Sequence, residues 1–374
     1  MITVFADQYL YNIASYLPDS VDLVLYDPAE GLPKGLDHAQ ALLVRTVNPI
    51  TPQTLPDIPA GLSFIGTGSS GTDHVDQAYL KASGITFADA AGCNARSVAE
   101  YLATSLLIWE ARAQYKLQDL CAGIIGVGHV GRQVDRLLQK MDIATCCYDP
   151  PRAQRDPGFS SSTLEEVLAA DILTFHTPLT RSGPHPTHHW LDAAKLSTHQ
   201  YELVINSARG GILDEGALCK AQDEGTVRHF ILDVWENEPD INLDVAARAF
   251  LKTPHIAGYS VQAKQNASRF IADALIQHFR LPPQNESQDT APLQISEPAD
   301  LFKSLPAVMD HLHPIREYES ELKQILQKQN PRRSVLFNRL RAEFPLRQEF
   351  SHIQLPATYF ERFPVLKKMG FHLL

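Results

Sequence analysis

The stretch CAGIIGVGHVG, residues 121–131, decides how the chain folds. An apolar run ends at Gly126, glycines recur at 128 and 131, and the amphipathic segment RQVDRLLQKM follows at once. That context gives the GxGxxG spacing a mechanical meaning. The first glycine permits a tight turn, the second lets backbone N–H groups approach a pyrophosphate, and the third lets a helix pack close to the preceding strand. The start of that helix adds a partial positive charge. Asp149 ends the next apolar run, 18 residues after Gly131, near the spacing expected of a carboxylate that accepts hydrogen bonds from an adenosine ribose. An acid there favours NAD over NADP, whose 2′-phosphate would meet its charge, although Arg152 and Arg155 lie close and pull the other way.

Outward from this loop, both flanks read as α/β winding. The runs 122–126, 143–149, 171–177, 203–208 and 229–235 are expected strands of one series. The runs 2–7, 21–27, 41–46, 62–68 and 85–90 are those of another. Amphipathic segments between them predict parallel sheets. A long helix is expected over 97–114, with Ser97 as N-cap and Glu100 closing a capping box, and another over 260–280. The proline-rich, polar stretch 281–298 reads as a linker. Beyond it lie a helix candidate over 304–326 and a strand candidate over 352–360.

At 374 residues the chain is too long for one ordinary domain, and 44% hydrophobic residues suffice for normal cores. A net charge of −10 argues against non-specific binding to nucleic acid or anionic membranes. No apolar run reaches 18 residues and the first residues read as a strand, so neither a membrane span nor an export signal is expected. Five cysteines, two adjacent and none in CxxC spacing, suit reduced thiols in a cytoplasm.

Three further stretches carry chemistry. NSARGG (206–211) places Arg209 just past an apolar run, where a guanidinium can meet a carboxylate with two parallel bonds; alone, it would read as a surface arginine in a turn. LDVWENEP (232–239) holds Asp233 and Glu238, and TPHIAG (253–258) holds His255, 17 residues beyond Glu238. An imidazole beside a carboxylate is suited to moving an alcohol proton near neutral pH, whereas an isolated His255 would read as a satisfied core histidine. His176, His185, His188 and His189 invite a metal reading, but HPTHH lacks an accompanying acid and no metal is expected.

Taken in order, GVGHVG, FHTPLT (175–180), INSARGG, LDVWENEP and TPHIAG resemble the D-isomer-specific 2-hydroxyacid dehydrogenases, over about residues 85–280. The resemblance implies two Rossmann-like, doubly wound domains, one flavodoxin-like and one dinucleotide-binding, with an additional C-terminal α+β dimerisation domain. It places a substrate-binding domain at 1–95 plus 256–283, an NAD-binding domain at 96–255, a linker at 284–298 and the dimerisation domain at 299–374. It implies that Arg209 binds the substrate carboxylate and 2-oxygen, that His255 exchanges the hydroxyl proton, and that Glu238 orients His255 and stabilises its protonated form. Thr177, Ala208, Asp233 and Gly258 would approach the NAD cofactor alongside Gly126, Gly128, Gly131 and Asp149.

The stretches LLVRTV (42–47), IGTGSSGTDHVD (65–76) and AAGCNARSVAEY (90–101) are similar to a subgroup whose substrate is a small phosphorylated hydroxyacid. By that likeness Thr46, Thr67 and Tyr259 would contact substrate and a homodimer is expected. Arg45 is the candidate for extra positive charge on the phosphate, with a strand-end ion pair as the even alternative. The segment from His313 onward holds 11 Lys/Arg against 6 Asp/Glu. Its Arg332, Arg333 and Arg347 either reach a phosphate in a partner's cleft or form a solvated basic face. A dehydrogenase of another D-2-hydroxyacid such as 3-phosphoglycerate, and an NAD-sensing protein without catalysis, stay open as alternatives.

Overall fold

A computed structural model describes residues 1–283, 290–327 and 332–374. Two compact units form, one from Met1–Asn94 with Ser260–Ala291, the other from Ala95–Tyr259 with Pro292–Leu374.

In the first unit, β1 (Ile2–Asp7), β2 (Val21–Tyr26), β3 (Ala41–Val44), β4 (Phe64–Thr67) and β5 (Thr86–Asp89) form one parallel sheet in the order β2-β1-β3-β4-β5. This is the flavodoxin-type doubly wound order. The central strands β3 and β4 are buried at every position, which is why their sequences are unbroken apolar runs rather than alternating ones. The helix Val261–Phe279, capped by Ser260, lays Ala267, Ile271, Ala272 and Leu275 into the same core.

The second unit is built on six parallel strands: β6 (Cys121–Ile125), β7 (Ala144–Tyr148), β8 (Ile172–Phe175), β9 (Tyr201–Asn206), β10 (Val227–Leu232) and β11 (Leu251–Lys252). Their order is β11-β10-β9-β8-β6-β7, so the chain reverses its direction of winding between β6 and β8. Every loop that leaves a strand forward therefore emerges on one edge, and ligands of such sheets bind there, at the reversal. The two-residue β11 was not foreseen, being too short to carry a periodic pattern.

The C-terminal residues join this second unit and are not a separate body by contact. They supply a small parallel sheet of β12 (Leu293–Gln294), β13 (Ile353–Leu355) and β14 (His372–Leu373), with helices Leu305–Leu312, Ile315–Gln327 and Arg333–Ala342. The single helix expected over 304–326 is broken at Pro314, which cannot donate to the preceding turn. The strand expected over 352–360 stops at Leu355, and Pro356 leads into the helix Ala357–Arg362. Of the expected linker, 284–289 lie outside the described residues, and 293–294 are strand β12.

Two sequence expectations fail around the long helix Ala95–Ala113. It begins before Ser97, so Ser97 and Glu100 do not cap it; both are fully buried inside it. Ser97 Oγ donates to Ala257 O at 3.3 Å. Glu100 accepts from Arg96 Nε at 2.7 Å, Arg347 Nη1 at 2.6 Å and Phe350 N at 3.0 Å. Arg347, a candidate for a partner's phosphate, is thus an internal residue that also donates to Ser97 O at 3.0 Å. Burying a guanidinium is tolerable only with such pairing, and here the pairing ties the C-terminal segment to the helix. Among the described residues, no helix is long and apolar enough to cross a membrane.

Candidate active site

The site is assembled from loops at the forward ends of β6, β8, β9, β10 and β11. After β6, Gly126 turns at φ 85°, and a Cβ there would lie 2.6 Å from Thr177 Cγ2 and 2.9 Å from the His176 backbone. A Cβ at Gly131 would sit 2.1 Å from Gly126 O, so the helix His129–Lys140 meets the strand only because no side chain intervenes. Gly128 differs: a Cβ there would meet nothing within 4 Å. The protein does not fill that space, which fits the approach of a pyrophosphate. The Thr177 hydroxyl beside the loop is buried and has no hydrogen-bond partner among the described residues, as a group awaiting a ligand would be.

Asp149 stands where an adenosine ribose is expected, and its carboxylate also braces the loop. Oδ2 accepts from Val127 N at 2.8 Å and Oδ1 caps the next helix through Arg152 N at 2.9 Å. The acid keeps further lone pairs for a ribose. Arg152 is occupied by Asp156 at 3.0 Å and Val127 O at 3.0 Å, and lies over the Phe159 ring. The residues present fit NAD.

After β9, Asn206 shapes the turn that carries Arg209. Its side chain accepts from Ala208 N at 3.1 Å and donates to Arg209 O at 2.9 Å, while Arg209 Nη1 donates to Ala208 O at 2.7 Å. Gly210 then passes so close to the next loop that a Cβ would fall 1.8 Å from Trp235 O. Neither Asn206 nor Gly210 was singled out in the sequence, although the NSARGG motif contains both.

After β10 and β11, Asp233 is the organising residue. It is almost fully buried, and its carboxylate accepts from Thr253 Oγ1 at 2.6 Å, Ile256 N at 2.8 Å and Ala257 N at 2.9 Å. Its backbone O accepts from His255 N at 2.7 Å. These bonds hold His255 at φ 59°, a conformation uncommon outside glycine that persists only when its surroundings over-determine it. Burial nevertheless raises the Asp233 carboxyl above its ordinary range, against the lowering influence of His255 and the three donors. Thr253 passes the network on to Tyr101 OH at 2.6 Å, in the long helix.

His255 Nδ1 lies 2.8 Å from Glu238 Oε2, so the carboxylate occupies one ring nitrogen and leaves Nε2 for another partner. Glu238 Oε1 accepts from Trp235 N at 2.9 Å. Burial alone would raise the Glu238 carboxyl; the charge and hydrogen bond of His255, the Arg341 guanidinium and the Trp235 N–H outweigh it and hold the group below its usual value.

The remaining sequence candidates lie elsewhere. In the first unit, Thr46 follows β3 and Thr67 ends the neighbouring β4, where Thr67 Oγ1 lies 2.9 Å from His74 Nε2. Arg45 pairs with buried Asp7 at 2.9 Å and lies over the Tyr9 ring. In the second unit, Gly258 and Tyr259 follow His255, the Tyr259 ring packing edge-on to Phe344. His176 is enclosed, and burial pushes its imidazole down to about 3. His189 bonds Glu236 at 2.8 Å. Among the described residues no group of three potential ligands could hold a metal.

These features define a nicotinamide-dependent dehydrogenase, and comparison with known proteins agrees. The family description "D-isomer specific 2-hydroxyacid dehydrogenase, NAD binding domain" matches residues 96–257. In structure the chain is similar to a D-lactate dehydrogenase from Aquifex aeolicus complexed with NAD and lactic acid, with TM-score 0.59 and 24% identity over 74% of this chain and 95% of that one. It is likewise similar to a glyoxylate reductase from Paecilomyes thermophila, with TM-score 0.62 and 20% identity over 76% and 98%. In sequence it is 35% identical to an erythronate-4-phosphate dehydrogenase of Serratia proteamaculans over 92% of each chain. One from Marinobacter nauticus is 33% identical over 94% of each. The chain belongs to the erythronate-4-phosphate dehydrogenase family, within the D-isomer-specific 2-hydroxyacid dehydrogenases.

Proposed function

We propose that the protein oxidises 4-phospho-D-erythronate at C2 to (R)-3-hydroxy-2-oxo-4-phosphooxybutanoate with NAD, a step of pyridoxal 5′-phosphate biosynthesis. The substrate is argued from the relatives' name, and the chemistry from the commitment of His255 Nδ1 to Glu238, the observation that carries the reading. Bound at the Gly126–Gly131 loop, NAD supplies the acceptor for the C2 hydride. Arg209 holds the substrate carboxylate and C2 oxygen. His255 takes the hydroxyl proton at Nε2 as the C2–O double bond forms, and Glu238 keeps the ring oriented and favours the imidazolium that results. Thr46, Thr67 and Tyr259 contact the substrate, with Arg45 adding charge. Thr177, Ala208, Asp233 and Gly258 line the cofactor.

The enzyme works in the cytoplasm as a homodimer through its C-terminal residues. Its domains are 1–95 with 256–283 for substrate, 96–255 for NAD, a 284–298 linker and 299–374 for dimerisation, although contacts group 292–374 with the NAD-binding residues.

The test is NADH formation, with a 2-oxoacid acceptor present to draw the reaction forward, from 4-phospho-D-erythronate, 3-phosphoglycerate and glycerate. The expected result is clear preference for the first. Preference for 3-phosphoglycerate would move the assignment to another D-2-hydroxyacid. No turnover with any of them, despite NAD binding, would favour a sensing role.

A further inference from the structure

The helix Arg333–Ala342 lies against the loop that carries Glu238. Three residues on one helical face make the contact, at positions 334, 337 and 341, close to the i, i+3, i+7 spacing of a stripe. Ser334 Oγ donates to Asp240. Phe337 is almost fully buried and lines, with Pro239, Asp240 and Ile241, a cavity of about 290 Å³ between helix and loop. Arg341 Nη1 lies 3.8 Å from Glu238 Oε2, the same oxygen that meets His255 Nδ1. The Arg341 Nε is buried and has no hydrogen-bond partner among the described residues. A guanidinium kept half-buried at that distance acts on the carboxylate through charge, not through a bidentate bond.

We propose that Arg341 is a positioning residue for the proton relay, holding Glu238 ionised and aimed at His255 so that His255 is free to accept the substrate proton at lower pH. This rests on the reading of Glu238 and His255 given above. Other charged groups around the pair include Asp233 behind His255, Glu215 and Glu236 on the neighbouring loops, Asp240 and Arg333 along the helix contact, and Arg209, assigned above to the substrate carboxylate. Those nearest the pair are mostly acids, which favour a bound proton. Arg341 is a cation that opposes them, 3.8 Å from Glu238 Oε2. The relay therefore draws on a segment contributed by the C-terminal residues, beyond the stretch 96–257 that defines the NAD-binding family.

The test is the pH profile of kcat/KM for 4-phospho-D-erythronate oxidation in Arg341→Met, Arg341→Gln and Arg341→Lys, with NAD affinity and melting temperature measured alongside. Removing the cation lets the Glu238–His255 pair hold its proton to higher pH. In the Met and Gln variants the acidic limb should move up by ~0.5–1 pH unit, lowering kcat/KM on that limb by roughly 3–10-fold, and Lys should restore most of it. Gln keeps a polar end on a shorter, uncharged side chain, so it reads the effect if Met proves unstable. An unmoved limb in either neutral variant would overturn the proposal. So would equal loss in Lys and Gln, which would mark a packing role alone. Retained turnover in His255→Ala would instead sink the underlying site assignment, whatever Arg341 does.

Discussion

Buried Glu215 and half-buried Glu238 lie within the same unit, on either side of Glu236, and their surroundings drive them apart. Glu238 has an imidazole, a guanidinium and a backbone N–H, and is held below the ordinary range. Glu215 accepts one backbone N–H, from Glu236 at 2.8 Å. Burial, with the charges of Glu236 and Glu238 adding to it, pushes its carboxyl up to about 7. Two acids of one type, close in space, are thus shifted in opposite directions by what faces them, the usual means by which sites divide labour between carboxylates. Glu238 is built to stay charged beside His255, the proposed proton carrier. Glu215 bridges two loops through its bonds with Glu236.

The largest expected effect breaks the comparison at the proton carrier. His255→Ala should lower kcat by ~10²–10⁴-fold, the range for loss of a general base, while NAD binding stays near that of the parent. Next comes the clamp beneath the site. Arg347→Met leaves Glu100 buried without its strongest partner and should lower unfolding free energy by about 3–5 kcal/mol in denaturant titration.

The two glutamates themselves give predictions of opposite sign. A raised carboxyl such as Glu215 contributes stability that is full below the unfolded value of 4.5 and is lost as pH rises through about 7. Glu215→Gln should therefore stabilise the protein at pH 8, by up to roughly 3 kcal/mol, and the gain should vanish towards pH 4.5. A depressed carboxyl such as Glu238 contributes stability above the ordinary carboxylate range and loses it as pH falls through the folded value. Glu238→Gln should destabilise at neutral pH, with the gap closing in acid, and melting curves across pH 4–8 would show the two trends crossing. The smallest effect is Ser97→Ala, which removes the hydrogen bond to Ala257 and the one Ser97 Oγ accepts from Arg347 Nη2 at 3.1 Å, and should cost about 1–2 kcal/mol.

Much of this contrast was legible before any coordinates. Ten parallel strands follow apolar runs long enough to read, and the glycine loop, Arg209, Glu238 and His255 sit in short motifs whose residues act locally. What stayed hidden depends on long-range pairing. Ser97 and Glu100 carry the spacing of a capping box, but their partners are Ala257 and Arg347, 160 and 247 positions away, so the local rule misleads. The saturation of Asp233 by Thr253, Ile256 and Ala257 shows only once β10 and β11 lie side by side. Arg341 looked like one more basic residue in a basic tail. Only the docking of its helix on the Glu238 loop separates it from Arg339, which pairs with Glu343 at the surface.

The central claim is that one imidazole, anchored at Nδ1, works on the substrate hydroxyl through Nε2. A crystal structure of the ternary complex with NADH and 4-phospho-D-erythronate, which cannot turn over, measures this directly. The account predicts His255 Nε2 within about 2.6–3.2 Å of the C2 hydroxyl oxygen, with Nδ1 still on Glu238. An imidazole turned away from that oxygen, with no water between them and another residue in reach of the proton, would contradict it.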